Sequence, residues 1–417
     1  MHVLWLKTEL LHPVDKGGRI RTYHTLRALK RQHRVTYLTL DDGMAAADAR
    51  ERAAEYCDEL ITVQFAPPAK RSLAYFAALA ANAWSRLPYA VSRYRSSEME
   101  AKLAALVSSG RVDLVICDFL APSVNVPAAI GVPTVLFQHN VESAIWARHA
   151  RVARSPVIRS YFAMQWKRMC AFERHECARY DRVIAVSAAD RDAFARDFGA
   201  HDVVAVPTGV DVDFFRPSGN GRRVPGHIVF TGSMDWMPNE EGCEWFVNEV
   251  LPLVRRAVPS VRLSIVGRHP TPRVRALAGR DPSVTVTGDV PDVRPYLESA
   301  STFIVPLRVG GGTRLKIFEA MAMETPVVST TVGAEGLPVR DGQHLRIADD
   351  PVAFAWAVVH YLQHPDEGRG DALAAAQLVR SQFSWEEAGA AFVRYCEEVA
   401  GVAGIDAKRR RVPTPVR

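Results

Sequence analysis

Short apolar runs alternate with longer amphipathic stretches along the whole chain. In the first half the apolar runs are Val3–Leu6, Val35–Leu40, Leu60–Gln64, Leu114–Cys117, Thr134–Phe137, Val183–Val186 and Val203–Val206. Several are unbroken and rich in valine, as expected of strands covered on both faces. Helical periods lie between them, such as Arg19–Arg31 with Leu26 and Leu29 on one face. A second series begins after Gly226, with Ile228–Phe230, Val261–Val266, Val284–Val286, Phe303–Val305, Val327–Ser329 and Leu345–Ile347, and helices at Pro351–His364 and Glu386–Val399. This alternation predicts an α/β protein with two doubly wound parallel sheets. A segment rich in Gly, Pro and Asn, Pro217–Gly226, separates the two series and reads as a linker. The expected organisation is a Rossmann-like domain over 1–216, the linker over 217–226, a second such domain over 227–383, a helix over 384–401 and a basic tail over 402–417.

The six cysteines form no C-x-x-C pair, which suggests reduced thiols and a cytoplasmic protein. No signal peptide is legible before the first strand. The net charge of +6 lies in the first half, where residues 1–216 hold 29 Lys+Arg and 23 Asp+Glu, whereas 217–417 hold 23 of each. No helix-turn-helix, zinc or stacking motif accompanies that excess, so nucleic acid is not an expected partner. An anionic membrane surface at the inner face, or a lipid-linked phosphate, fits the polarity, and so does a plain solvated helix face. Leu73–Trp84 has two readings. With Lys70, Arg71 and Arg86 at its ends it suits a membrane interface; the simpler reading is a buried helix with basic ends.

The stretch from Thr302 to Thr330 carries the most chemistry. A strand runs into Gly310-Gly311-Gly312, a helix follows from Thr313, and Pro326 precedes the next strand. A glycine loop opening a helix presents free N–H groups and a positive dipole end to an anion. Arg314 and Lys316 lie in the first turn, where an anionic ligand would offset their unfavourable dipole interaction. Glu319 lies about one and a half turns in, within reach of a second part of the same ligand. The bland alternative is a flexible turn followed by a solvated helix.

These residues resemble the C-terminal signature of the GT-B fold retaining glycosyltransferases of family 4. Glu319, Ala320-Met321-Ala322 and Pro326-Val327-Val328 match it. The glutamate expected eight positions before Glu319 is replaced by Gly311, so the chain resembles the Gly-Gly-Gly-Thr-Arg-Leu-Lys branch, and bacterial exopolysaccharide transferases in particular. The resemblance implies two Rossmann-like domains facing across a cleft, with the donor on the second and the acceptor on the first. The last helix, Ser384–Gly401, would cross back to the first domain. The implied donor is a UDP- or GDP-linked sugar, bound as substrate without cofactor or metal. The acceptor is a glycan or a lipid-linked carrier. Donor contacts carried over are Gly17, Gly18, Thr231, Gly232, Ser233, Gly267, Gly311, Gly312, Thr313, Leu315 and Glu319, with His139, Arg314 and Lys316 in catalytic roles. The family often places Arg and Lys shortly after Gly232; here Met234 and Asn239 stand near those places, which makes Arg314 and Lys316 the substitutes.

Rival readings remain. Gly17-Gly18 with Asp41-Asp42 could suggest a dinucleotide site, but the G-x-G-x-x-G spacing is absent. Asp211-Val-Asp213 imitates a metal-binding pair without further ligands nearby. A nucleotide-sugar epimerase shares the implied fold, and a non-catalytic nucleotide-sugar-binding partner would keep only the C-terminal pocket.

Overall fold

The computed structural model describes residues 1–69, 72–153, 155–219, 221–309 and 315–410. The chain divides into two compact units. One comprises residues 1–207 together with the chain from Ala388 onward, and the other comprises 208–387. Pro217–Gly226 therefore falls inside the second unit, with the division ten residues earlier.

The first unit contains β1 His2–Lys7, α1 Gly17–Lys30, β2 Arg34–Asp41, β3 Glu59–Gln64, α2 Leu73–Asn82, α3 Tyr89–Ser92, α4 Ser97–Ser108, β4 Leu114–Asp118, β5 Thr134–Phe137, α5 Glu142–Val152, α6 Pro156–Arg179, β6 Arg182–Ala185, α7 Ala188–Asp197 and β7 Val203–Ala205. Its seven strands are all parallel, in the order β3-β2-β1-β4-β5-β6-β7. The second unit contains β8 His227–Thr231, α8 Met237–Trp245, α9 Leu251–Ala257, β9 Arg262–Val266, α10 Pro272–Arg280, β10 Val284–Gly288, α11 Arg294–Ser299, β11 Thr302–Val305, α12 Leu315–Ala322, β12 Val327–Ser329, β13 Arg346–Ile347, α13 Pro351–Gln363 and α14 Pro365–Gln382. Its six parallel strands run β10-β9-β8-β11-β12-β13. The expected pair of doubly wound parallel sheets is what the chain forms.

The strands are continuous apolar runs because helices cover both faces; every residue of β4 and β5 is buried. Strand order turns between β1 and β4 in one sheet and between β8 and β11 in the other. Helices depart to opposite faces there, and the carboxyl ends of the strands open a crevice. These two edges position the candidate site residues.

The last helix, α15 Trp385–Arg410, contributes its later residues to the first unit. Phe392 is fully buried against Trp5 and Phe137, at ring distances of 5.7 and 4.9 Å. Arg182 donates to Glu398 at 2.8 Å and to the Tyr395 carbonyl at 3.0 Å. The helix extends into the segment expected to be a basic tail; residues 411–417 lie outside the described residues.

One expectation is corrected. α2 is not a buried helix: Leu73 is 90%, Phe76 55% and Trp84 86% exposed. Only its opposite face packs, with Asn82 accepting from Gln165 and Arg168 on α6. Leu73, Phe76, Ala77 and Ala80 recur at helical spacing among its exposed positions, and Trp84 is exposed in the turn just beyond its end. An apolar outer face on a surface helix is the opposite of what burial patterning implies, so the sequence alone misassigns it.

Candidate functional site

In the first unit the site grows from the carboxyl ends of β1, β4 and β5. Lys7 ends β1 and Asp118 ends β4, and both are almost fully buried. Asp118 Oδ2 accepts from Lys7 Nζ at 2.8 Å, Thr22 Oγ1 at 2.6 Å and Trp5 Nε1 at 3.1 Å. A buried carboxylate is costly unless paired and hydrogen-bonded, and here both conditions hold. Burial pushes the Asp118 pKa up, but Lys7 and then His139 overcome that and hold it below the usual carboxylate range.

His139 lies two residues beyond β5, its Nε2 2.8 Å from Asp118 Oδ1. The pair is off the N–H axis, so it is an ion–dipole contact rather than an aligned hydrogen bond. Burial, helped by Arg21 and Lys7, lowers the His139 pKa and keeps the ring neutral despite Asp118. The facing carboxylate favours the proton on Nε2, which leaves Nδ1 as an acceptor. Among the described residues Nδ1 is buried and without a hydrogen-bond partner, as is Oδ1 of Asn140. Orphaned buried polar atoms side by side at a strand end call for a ligand or ordered water.

Phe119 stacks on His139 at 3.8 Å between ring centres and adopts φ 73°, rare for an aromatic residue. Gly17 and Gly18 are the first residues of α1 rather than a loop before it. A Cβ on Gly18 would lie 3.1 Å from the Phe119 ring and 3.8 Å from His139 Nδ1, whereas Gly17 has nothing within 4 Å. Gly18 thus brings the helix N-terminus, with its free amides, up to His139.

In the second unit the carboxyl ends of β8 and β9 meet α12. A Cβ on Gly232 would stand 2.6 Å from Asn239 Nδ2 and 2.8 Å from Lys316 Nζ, and one on Gly267 would overlap the Gly232 carbonyl oxygen. The absence of side chains there lets the Lys316 ammonium lie against bare backbone. It donates to Asn239 Oδ1 at 2.8 Å and sits 4.2 Å over the Phe230 ring, while Asn239 Nδ2 donates to the Ser233 carbonyl at 2.8 Å. The ammonium thus lies beside the Gly232 backbone.

One turn on, the Glu319 carboxyl makes no hydrogen bond or ion pair among the described residues. Burial raises its pKa to about 7 although Lys316 opposes the shift. Thr231 is buried at the end of β8, and Leu315, half-buried, opens the described part of α12. The Ser233 hydroxyl, expected to face a phosphate, donates to Asp235 at 2.5 Å instead. Gly311, Gly312, Thr313 and Arg314 lie outside the described residues.

Within the first unit Gly18 and His139 come together; within the second Thr231, Gly232, Ser233, Gly267, Lys316 and Glu319 do. Sequence reasoning missed Lys7, Asp118 and Arg268. Arg268 follows Gly267 and its Nε lies 3.4 Å from the Ser233 hydroxyl. The available signal was a charged residue closing an apolar run, as in Leu114-Val-Ile-Cys-Asp118. The rival motifs find other uses. Asp41 pairs with Arg50 at 2.7 Å, and Asp211 accepts from the Phe214 amide at 2.9 Å within a turn.

Residues 16–214 match the family model described as Glycosyltransferase Family 4, and residues 225–364 match the model Glycosyl transferases group 1. A phosphatidyl-myo-inositol mannosyltransferase of Mycobacterium tuberculosis is 29% identical over 48% of this chain and 55% of its own length. The lipopolysaccharide core biosynthesis mannosyltransferase LpcC of Rhizobium leguminosarum is 25% identical over 61% of this chain and 75% of its own. An uncharacterized 44.6 kDa protein in the cps region of Klebsiella pneumoniae is 29% identical over 32% of this chain and 37% of its own. The chain thus spans only 37% and 55% of the length of the Klebsiella and Mycobacterium relatives. Among solved structures, sucrose-phosphate synthase of Thermosynechococcus elongatus superposes with a TM-score of 0.66 at 16% identity, covering 96% of this chain and 100% of that one. Anabaena HepE in complex with UDP and glucose gives 0.66 at 13% identity, covering 95% and 100%.

Proposed function

We propose, from the premise that both halves of this GT-B chain carry glycosyltransferase domains, that it moves a hexose from a nucleotide-sugar to a hydroxyl of a glycan or lipid-linked acceptor. The observation that carries this reading is the Lys316 ammonium, held by Asn239 against the Gly232 backbone, with the Glu319 carboxyl one turn away. Breaking the anomeric C–O bond leaves a nucleoside diphosphate, so catalysis must stabilise growing negative charge on phosphate. Lys316 supplies a positive charge placed in advance. Glu319 accepts from the ribose hydroxyls. His139 Nδ1, next to Gly18, accepts from a hydroxyl of the donor sugar.

Transfer proceeds with retention, and the leaving phosphate takes the acceptor's proton. No protein nucleophile is required, in keeping with Gly311 in the place of a glutamate. Protein groups rather than a divalent metal meet the leaving-group charge. UDP and GDP remain the two candidate carriers. HepE is solved with UDP and glucose, and a Mycolicibacterium smegmatis relative is named GDP-mannose-dependent. The named mannosyltransferases act on phosphatidylinositol and lipopolysaccharide core, and the cps-region relative favours a cell-surface polysaccharide pathway. The exposed apolar face of α2, on the basic half of the chain, supports peripheral contact with an anionic membrane at its cytoplasmic side. Among the described residues no helix is long and apolar enough to cross one. The test is nucleotide release from a panel of UDP- and GDP-sugars, with and without cell lipid extract. Release that depends on the extract supports transfer; epimerised sugar without release refutes it.

A further inference from the structure

A cavity of about 290 Å³ opens in the first unit beyond the carboxyl ends of β1 and β4, where the strand order turns. Lys7, Glu9, Arg93, Tyr94, Phe119 and Glu142 are among its walls. Its volume suits one sugar or cyclitol ring, at the small end of ligand pockets. Two of the four charged side chains in its walls are already paired. Lys7 is paired with Asp118 at 2.8 Å, and Glu9 with Arg19 at 2.7 Å.

Arg93 differs from those two. It makes no ion pair among the described residues, and its Nε is buried without a hydrogen-bond partner. Its guanidinium lies 4.8 Å over the Tyr94 ring. No ion pair joins it to Glu142 among the described residues, and burial and then Glu173 push the Glu142 pKa up to about 7. The Glu173 carboxylate is meanwhile taken up by the amides of Glu142 and Ser143, at 2.9 and 3.0 Å.

We infer that this cavity holds the acceptor and selects one carrying an oxyacid group beside its hydroxyls, with Arg93 gripping the oxyanion. A planar guanidinium with open donors matches phosphate and carboxylate oxygens in pairs. The inference rests on the transferase reading above and adds the acceptor's chemical class. The cavity wall at α3 is also tied to α2. Asn82 donates to Ser92 and to the Leu87 carbonyl, each at 3.1 Å, and the Tyr89 amide donates to Gln165, which itself donates to Asn82. The helix with the apolar outer face and the arginine's helix therefore form one block. A lipid-linked phosphate and an acidic sugar are the two sources of such a group.

Calorimetry on the full chain separates them, with myo-inositol 1-phosphate, glucuronate, and neutral myo-inositol and methyl glucoside as probes. At least one anionic probe should bind about tenfold or more tightly than its neutral counterpart, the range of a charge-assisted hydrogen bond. Preference for the phosphate assigns a phosphoester acceptor; preference for glucuronate assigns an acidic glycan. Arg93→Gln should erase the preference and Arg93→Lys should keep part of it, with UDP and GDP affinity unchanged in both as a check on folding. Equal affinities for anionic and neutral probes, no binding of any probe, or a preference that survives Arg93→Gln would overturn the inference. Wild-type nucleotide affinity, measured alongside, reports on the transferase reading separately.

Discussion

The two units use the same edge of the same kind of sheet for opposite electrostatic purposes. At the β1/β4 edge, Lys7 and Asp118 are buried and matched to each other, with Thr22, Trp5 and His139 around them. At the β8/β11 edge, Lys316 rests on an amide oxygen and glycine backbone, and Glu319 has no partner among the described residues. The first edge is charge-balanced before any ligand arrives and serves to orient His139. The second places Lys316 beside the Gly232 backbone with Glu319 one turn along the helix, the pair on which the proposed recognition of a diphosphate and a ribose rests. A carboxylate buried in a balanced cluster supports the fold; one left without a partner serves a ligand at some cost in stability.

The largest test of that contrast is Asp118→Asn. It leaves Lys7 buried without its counter-charge and should cost about 3–5 kcal/mol, read by denaturant unfolding of the first unit. Glu319→Gln should cost nothing measurable. Equal losses would erase the distinction. The pH dependence follows with a definite sign. Asp118 is held below its ordinary range in the folded chain. Its contribution is therefore present above the unfolded value near 3.9 and is lost as pH falls through the lower folded value.

Gly232→Ala should cost about 1–3 kcal/mol of stability, because φ 159° there is a conformation kept for glycine, and its Cβ would also displace the Asn239 and Lys316 side-chain ends. Moving the ammonium should cost about tenfold in diphosphate affinity. A stability loss without an affinity loss would make Gly232 a packing glycine. Smaller still is the titration of Glu319. With its pKa raised to about 7, the carboxylate that accepts from ribose forms only as pH rises through 7, so nucleoside affinity should climb there. Glu319→Gln should flatten the curve, and an unchanged curve would remove Glu319 from the ribose. The smallest effect belongs to α2. Replacing Leu73, Phe76 and Trp84 by Ser should leave stability and nucleotide affinity alone and reduce flotation with anionic liposomes at low salt. Unreduced flotation would exclude this face.

The fold was legible because each strand of a doubly covered parallel sheet is an unbroken apolar run, from Val3–Leu6 to Val327–Ser329. Strand ends were legible as places for polar chemistry, which singled out His139, Gly232 and Gly267. The Lys7–Asp118 pairing was not. It depends on β1 lying beside β4 across 111 positions of sequence, and neither residue looks unusual in its own segment. α2 misled because a uniformly apolar helix signals burial, and only the packed structure reveals which face has no neighbour. Arg93 was legible only as one of several basic residues beyond that helix; burial of its Nε and, among the described residues, the lack of an ion pair set it apart.

The most direct test of the central claim is calorimetry of nucleoside, nucleoside monophosphate and nucleoside diphosphate binding to Lys316→Met and Glu319→Gln. Each lost charge-assisted contact should cost about 1.5–3 kcal/mol, roughly ten- to a hundredfold. Lys316→Met should spare the nucleoside, weaken the diphosphate and lower turnover, since phosphate charge grows in the transition state. Glu319→Gln should weaken all three ligands alike. Unchanged affinities in both variants would mean that the β8/β11 edge binds no nucleotide, contradicting the account.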